Sequence, residues 1–334
     1  MSNNVDKAEL ASEKEQAKAE RREERKEWFA FRKKEFIKNI NIVKQLVIRS
    51  VKVQYRNSVI GIFWTVLNPL LNMLVMYLVF STIFTRGGFA TVTDESTYAL
   101  YLLCGNIVFG MMRTATSQAL TSIVQNRGLL TKNKMSYNVF PLAYTLSAVV
   151  NFLFSLVALL GVMVFVWLVN DQAVFSVNIF LVLVALPALF LFCYGLSLVL
   201  SAMYTFFRDI KHFYTVFLTL WMYITPIFYG ITLFETEAAG PSFGLADLML
   251  LIIRANPMYY FVEYFRDVVY RCSAHEAYMG ELLAKGEAVS QAVMEAAQLP
   301  SFGETFVLYA IGLITTLIGA IVFMGTKRKF IYNI

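Results

Sequence analysis

Apolar and polar positions divide the chain into six long apolar runs separated by short charged stretches, at about 60–84, 98–122, 140–169, 179–206, 213–233 and 305–325. An α-helix needs about 20 predominantly apolar residues to cross a hydrocarbon core of roughly 30 Å, and each run is that long. From Ile60 to Phe84 the first run carries no charge. Gly61 permits a sharp turn into it, and Trp64 sits where an aromatic belt residue would. Pro69, with Asn68 and Asn72 beside it, predicts a kink. Backbone groups freed inside a membrane are tolerated only where other helices or a cavity satisfy them, so this helix is expected inside a bundle.

The flanking stretches differ. Residues 1–36 interleave acids and bases, a pattern for a solvated helix or a disordered arm, with docking of a partner or anionic lipid as the other reading. The stretch 37–56 carries Lys38, Lys44, Arg49, Lys52 and Arg56, ends at Tyr55–Arg56, and contains no acid. Ile40, Val43, Val47 and Val51 recur on one helical face, which predicts an amphipathic helix lying in the membrane interface. Residues 37–334 are then one permease-sized membrane domain. The charged start predicts no cleavable leader.

Charge sets the expected orientation. The basic tail, Arg127, Lys132 and Lys134, Arg208 and Lys211, and Lys327, Arg328 and Lys329 all fall on one side of a six-span chain. The segment 232–303 has four cations against nine carboxylates and falls on the other. The positive-inside rule puts both termini in the cytoplasm. Within 232–303, two short apolar pieces, Phe243 to Ile253 and the Pro257-led stretch to Tyr270, predict a re-entrant hairpin between spans five and six. Residues 273–299 read as an external amphipathic helix. The fold class is therefore all-α integral membrane: six transmembrane helices, an interface helix before the first, and a re-entrant hairpin before the last.

Composition narrows the chemistry. Of 334 residues 58% are hydrophobic, above the 45–50% of soluble domains. Cys104, Cys193 and Cys272 are far apart, which points away from a disulfide framework or metal cluster. No Gly-x-x-x-x-Gly-Lys-[Ser/Thr] occurs, so there is no P-loop for ATP. The proposed inner loops hold one carboxylate, Asp209, which disfavours a transferase working with metal and sugar nucleotides on that side. No catalytic or metal-binding residues are assigned, and nothing points to nucleic acid.

Four places remain as candidate sites. Asn126-Arg127-Gly128-Leu129-Leu130-Thr131-Lys132-Asn133-Lys134, followed by Met135, is a short basic loop with an apolar pair. It reads either as a plain inner loop or as a docking helix whose leucines anchor in a partner groove. Arg113 falls inside the second run, where an arginine faces a partner or wet cavity unless it snorkels to an interface. Glu263 and Asp267 share a helix face and are placed to pair with Arg266 and Arg271. Aromatics gather in Trp221, Tyr223, Phe228 and Tyr229, and in Tyr259, Tyr260, Phe261, Tyr264 and Phe265. They suit an aromatic belt and bundle core, or a stacking surface for a sugar chain.

Several of these stretches resemble the type-2 ABC permeases that export O-antigen, capsule, rhamnose polysaccharide and teichoic acid. They are Tyr55-Arg56-x-Ser58-x-x-Gly61-x-x-Trp64-x-x-Leu67-x-Pro69-Leu70, Gly105 through Lys132, Phe207-Arg208-Asp209-Ile210, and Asn256-Pro257 through Arg266-Asp267. The family's Phe-Pro-Arg-like step after the coupling loop is replaced here by Met135-Ser136-Tyr137. The resemblance implies a homodimer with two separate ATPase subunits, which would hold ATP and Mg; this chain binds no cofactor itself. It makes Asn126 to Met135 the coupling helix and Arg208–Asp209 a second ATPase contact. Lys44, Arg49, Lys52, Tyr55, Arg56 and Trp64 become the substrate-entry side, and Asn68, Asn72, Arg113 and the aromatics the path. The cargo implied is a lipid-linked glycan or teichoic acid crossing a bacterial cytoplasmic membrane. A drug or lipid exporter of the same fold, a membrane glycosyltransferase and a passive channel are the alternatives.

Overall fold

The computed structural model describes residues 2–55, 61, 63–84, 95–132, 135–170, 177–231, 234–235, 244–272, 279–280, 282–284 and 298–330. Its principal helices are α1 (Ser2–Tyr55), α2 (Phe63–Phe84), α3 (Glu95–Gln125), α4 (Arg127–Lys132), α5 (Val139–Asn170), α6 (Val182–Phe206), α7 (Ile210–Ile224), α8 (Leu245–Ala255), α9 (Pro257–Arg266) and α10 (Phe302–Thr326). A 3₁₀ turn, Val177–Leu181, leads into α6. No strand occurs among the described residues.

Among the described residues, four helices are long and apolar enough to cross a membrane: α2, α5, α6 with its leading turn, and α10. The pair α8 and α9 reaches that standard together but bends by 81° at Asn256. The second expected span, α3, is long yet diluted by Asn106 and Arg113. Its position explains why: α3 is the central helix, touching α2, α5, α6, α7 and α9. Leu100, Leu103, Cys104, Met112, Ala115 and Leu120 on it are all buried in the main core. Protein, not lipid, surrounds it, so fewer of its positions must be apolar.

The fifth expected span, 213–233, is corrected. Regular helix stops at Ile224, giving α7 only 15 residues. Pro226 lacks an amide hydrogen and disfavours helical backbone at Thr225, which is extended at φ −76°, ψ 127°. At 1.5 Å per residue α7 is about 22 Å long, short of a full crossing.

α6 and α10 cross at very close range. A Cβ on Gly195 would lie 2.4 Å from the Thr315 backbone, and one on Gly319 2.4 Å from the Gly195 carbonyl. Thr316 donates its hydroxyl to the Leu191 carbonyl at 2.7 Å across the same seam. Small residues with an interhelical hydrogen bond are how helices associate without a hydrophobic drive between them.

The charged tail and the basic amphipathic stretch form one continuous helix, α1, so the compositional change at residue 36 is not a structural boundary. The second stretch packs along α5. Val43 and Leu46 pack on Val139, Phe140 and Ala143 of α5, while Asn151 donates to Gln54 at 3.2 Å. The helix follows α5 because its apolar stripe matches the apolar first turns of α5, and Lys44, Arg49 and Lys52 stay outward. The expected turn after it is present: Gly61 has φ 56°, a conformation that favours glycine.

Candidate functional site

One end of the bundle gathers the basic loops. Ile123 of α3, Leu198 and Ala202 of α6, and Phe323 and Phe330 at the end of α10 form a small core, on which Leu130 and Phe206 both pack. The α4 loop and the α6–α7 turn therefore lie side by side. Asn126 closes α3: its amide nitrogen donates to the Ser122 carbonyl at 2.7 Å and contacts the Tyr144 hydroxyl at 3.3 Å. Arg127, Gly128, Arg208 and Asp209 are exposed.

Leu129 and Leu130 are not the exposed pair the loop suggests. Both are half-buried, and Leu129 packs with Met135 on the α1–α5 contact. A six-residue helix has too little surface of its own, so its apolar face rests on α1 and α5 and leaves the charged face outward. An open groove of about 1110 Å³, lined by Phe31, Lys34, Lys38, Arg49, Leu129 and Met135, runs beside it. Lys132 contributes backbone to α4; Lys134 and Arg56, and the side chain of Tyr55, lie outside the described residues.

The opposite end is built around the break after α7. Every carbonyl from Pro226 to Tyr229 is met. Tyr101 shares its hydroxyl hydrogen between Pro226 and Tyr229, Arg266 donates to Ile227 at 3.2 Å, and Tyr98 donates to Phe228 at 2.8 Å. Tyr229 in turn donates to the α7 carbonyls of Tyr223 and Ile224. Protein donors thus satisfy the irregular backbone, which is what such a segment needs where water is excluded.

Arg266 is fully buried. Its guanidinium lies 3.4 Å from the Tyr101 ring centroid, donates to the Tyr101 carbonyl, and binds Glu263 at 2.7 Å. Glu263 also holds Arg271 at 2.7 Å, and Arg271 holds Asp267 at 2.7 Å. The pairing expected at three and four residues is therefore present, and it leaves the two carboxylates engaged by arginines. Gly105 is the residue that admits this arrangement, since a Cβ there would stand 3.0 Å from Arg266 Nη2 and 3.1 Å from Ile227. Tyr98 and Tyr101 escaped the sequence reading. Their signal was two tyrosines one turn apart at a helix start, facing a Thr-Pro break 125 residues away.

Asn256 ties this end together at the tip of the bent pair. Its oxygen accepts from Trp221 Nε1 at 2.7 Å and from the Met258 amide at 3.0 Å, capping α9, and its nitrogen donates to Thr225 at 2.8 Å. Asn256→Ala removes the cap and leaves buried donors unmet, a loss of about 2–3 kcal/mol. The expected readout is a lower thermal midpoint with a red-shifted Trp221 emission; an unchanged midpoint and spectrum would refute the hub role.

The remaining candidates divide by exposure. Trp64, Asn68, Asn72, Tyr223 and Tyr260 are exposed, and Trp221, Tyr229 and Tyr259 are half-buried. Phe261 and Tyr264 are core side chains; Phe261 packs on Phe192, and the Tyr264 hydroxyl meets that of Thr305 at 3.2 Å. Arg113 borders a cavity of about 210 Å³ with Asn68, Asn72, Asn106 and Asn151.

Against known proteins, the sequence profile of the ABC-2 type transporter family matches residues 42–270. The O-antigen export system permease protein RfbA of Myxococcus xanthus is 29% identical over 227 residues, covering 67% of this chain and 78% of that protein. A protein of the same name from Klebsiella pneumoniae is 22% identical over 282 residues, covering 84% of this chain and 90% of that protein.

Proposed function

The chain belongs to the ABC-2 type transporter family, and from that premise we propose that it is the membrane subunit of an ATP-driven exporter of a lipid-linked cell-surface polysaccharide. The observation that carries the reading is the similarity to two O-antigen export permeases over 67% and 84% of the chain. In this reading the protein crosses a bacterial cytoplasmic membrane six times with both termini inside. α3 supplies the second crossing, α7 together with the irregular segment that follows it the fifth, and α8–α9 is the re-entrant hairpin. Two copies face each other along α2 and α7, whose outward sides are exposed and apolar, as at Leu74, Leu78, Phe213 and Phe217. The polymer passes between them past Asn68, Asn72, Arg113, Tyr223 and Tyr260. ATP and Mg are held by a separate ATPase subunit.

That ATPase meets the basic end. Arg127 and Gly128 of α4 and Arg208–Asp209 are exposed together there, with the leucines behind them as support rather than anchors. Reversing Arg127 and Arg208 to Glu should abolish co-purification of the ATPase while leaving the chain's thermal midpoint within a degree or two, because both side chains are outward. Retention of the ATPase by the double variant would sink the docking assignment.

The cargo is tested by depleting the chain in its own cells and following lipid-linked glycan by leaflet. Polymer accumulating inside, with loss from the surface, is the expected result. Normal surface glycan would overturn the polysaccharide reading and favour a drug or lipid cargo.

A further inference from the structure

Arg113 stands in the middle of α3, twelve residues before its end at Gln125. At 1.5 Å per residue that is about 18 Å, beyond the reach of an arginine side chain, so snorkelling to the near interface is ruled out. Its side chain is exposed on this chain, and among the described residues no carboxylate pairs with it, although the three half-buried charges around Arg266 are all paired. What holds it is soft: Nη2 lies 2.8 Å from Met222 Sδ, and the guanidinium stands 5.4 Å from the Phe109 ring centroid. A thioether and a ring face orient a cation without neutralising it. A cation at this position without a carboxylate partner faces a cavity or path by default, and its exposed guanidinium is open to an arriving anion.

The surroundings say which anion. The cavity of about 210 Å³ is walled by Arg113 and five carboxamides, Gln54, Asn68, Asn72, Asn106 and Asn151, and by no acid. Carboxamides both donate and accept, as a ring bearing several hydroxyls requires. A guanidinium fork matches a phosphoryl group with two parallel hydrogen bonds. The volume is below the about 300–1,000 Å³ of drug-sized pockets, so it takes one ring-sized group and not a stretch of polymer. Four separate helices, α1, α2, α3 and α5, contribute the carboxamides, which makes this a site of the folded chain rather than a stripe on one helix.

We infer that this cavity binds a single phosphorylated sugar, with the phosphoryl group on Arg113 and the ring hydroxyls on the carboxamides. The inference rests on the export reading and deepens it, by giving the head group of the cargo a resting place inside the bundle.

The test uses the full chain with its ATPase subunit in nanodiscs. The probes are geranyl diphospho-N-acetylglucosamine, the uncharged geranyl N-acetylglucosaminide, and soluble glucose 1-phosphate, with binding followed by native mass spectrometry. The charged lipid probe should bind at least tenfold more tightly than the uncharged one. Arg113→Gln should lose that preference and keep its fold, because the side chain is exposed and no carboxylate loses a partner. Met222→Glu, which puts a carboxylate where the thioether now contacts Arg113, should expel the charged probe, whereas Met222→Gln should not.

Competition by glucose 1-phosphate would identify the phosphorylated sugar alone as sufficient, and its failure to compete would identify the lipid-linked head group as the source. Equal binding of charged and uncharged probes, or undiminished charged binding by Arg113→Gln, would overturn the site. Normal surface glycan in depleted cells together with Arg113-dependent binding would leave the site standing and remove the export reading; impaired export with Arg113-independent binding would do the reverse.

Discussion

Arg266→Met is expected to lower the thermal midpoint of the purified chain by on the order of 10 °C and to abolish export. The arginine is wholly buried and satisfies three kinds of group at once: the Glu263 carboxylate, the carbonyls of Tyr101 and Ile227, and the Tyr101 ring. Removing one member of a buried ion pair costs about 3–5 kcal/mol, because the partner remains without compensation. Here the Ile227 carbonyl is orphaned as well, in the segment where the helix is already broken. A few degrees per kcal/mol gives the stated shift. The companion variant Glu263→Gln with Arg266→Met should recover part of the loss, since the carboxylate oxygen that faced Arg266, left half-paired when only Arg271 holds the group, is gone, while Arg271 keeps Asp267. Fluorescence-detected thermal unfolding of the single and double variants measures this. A single variant as stable as the wild type would show that the break is held by Tyr98 and Tyr101 alone.

Gly195→Val is the second large effect. The position has no room for any side chain, because the obstruction is the Thr315–Thr316 backbone and not a movable side chain. Overpacking a core costs about 1–3 kcal/mol where side chains can shift. At this crossing α6 and α10 must separate, the Thr316–Leu191 hydrogen bond opens, and the loss should be larger, enough to remove most folded protein from detergent extracts. Gly161→Val on α5 is the matched control, since nothing stands within 4 Å of its would-be Cβ. That variant should extract like the wild type, and equal yields for both variants would refute the close crossing.

The sequence exposed those parts of the fold that depend on local pattern. α5, α6 and α10 lie within a few residues of their apolar runs, the turn at Gly61 needs the residue found there, and α9 starts at the proline that suits a first turn. The pairing of Glu263 and Asp267 with arginines was legible because helical spacing brings them together. Features that depend on distant partners were hidden. Leu129 and Leu130 read as exposed because α1 and α5, which cover them, are separate stretches of chain. The end of α7 at Ile224 had a local cause in Thr225-Pro226, but an apolar run through Leu233 masked it. The tyrosines that make the break tolerable lie on α3, and only the fold shows which carbonyls they meet. Arg113 was recognisable as unusual from its position alone; its carboxamide neighbours come from four helices and could not be grouped beforehand.

The tight crossing of α6 and α10 also has a mechanical side. Backbone pressed on backbone leaves no soft layer of side chains to deform, so the two helices, with α3 against them, behave as a stiff frame. α2 and α7 are attached differently. The apolar window of α2 has no buried residue, and α7 buries only Tyr214 and Leu218. Stress applied at the basic end is therefore not shared evenly: the frame carries it with little strain, and displacement concentrates in these two compliant helices, of which α2 lines the cavity at Arg113 and α7 brings Met222 to its guanidinium.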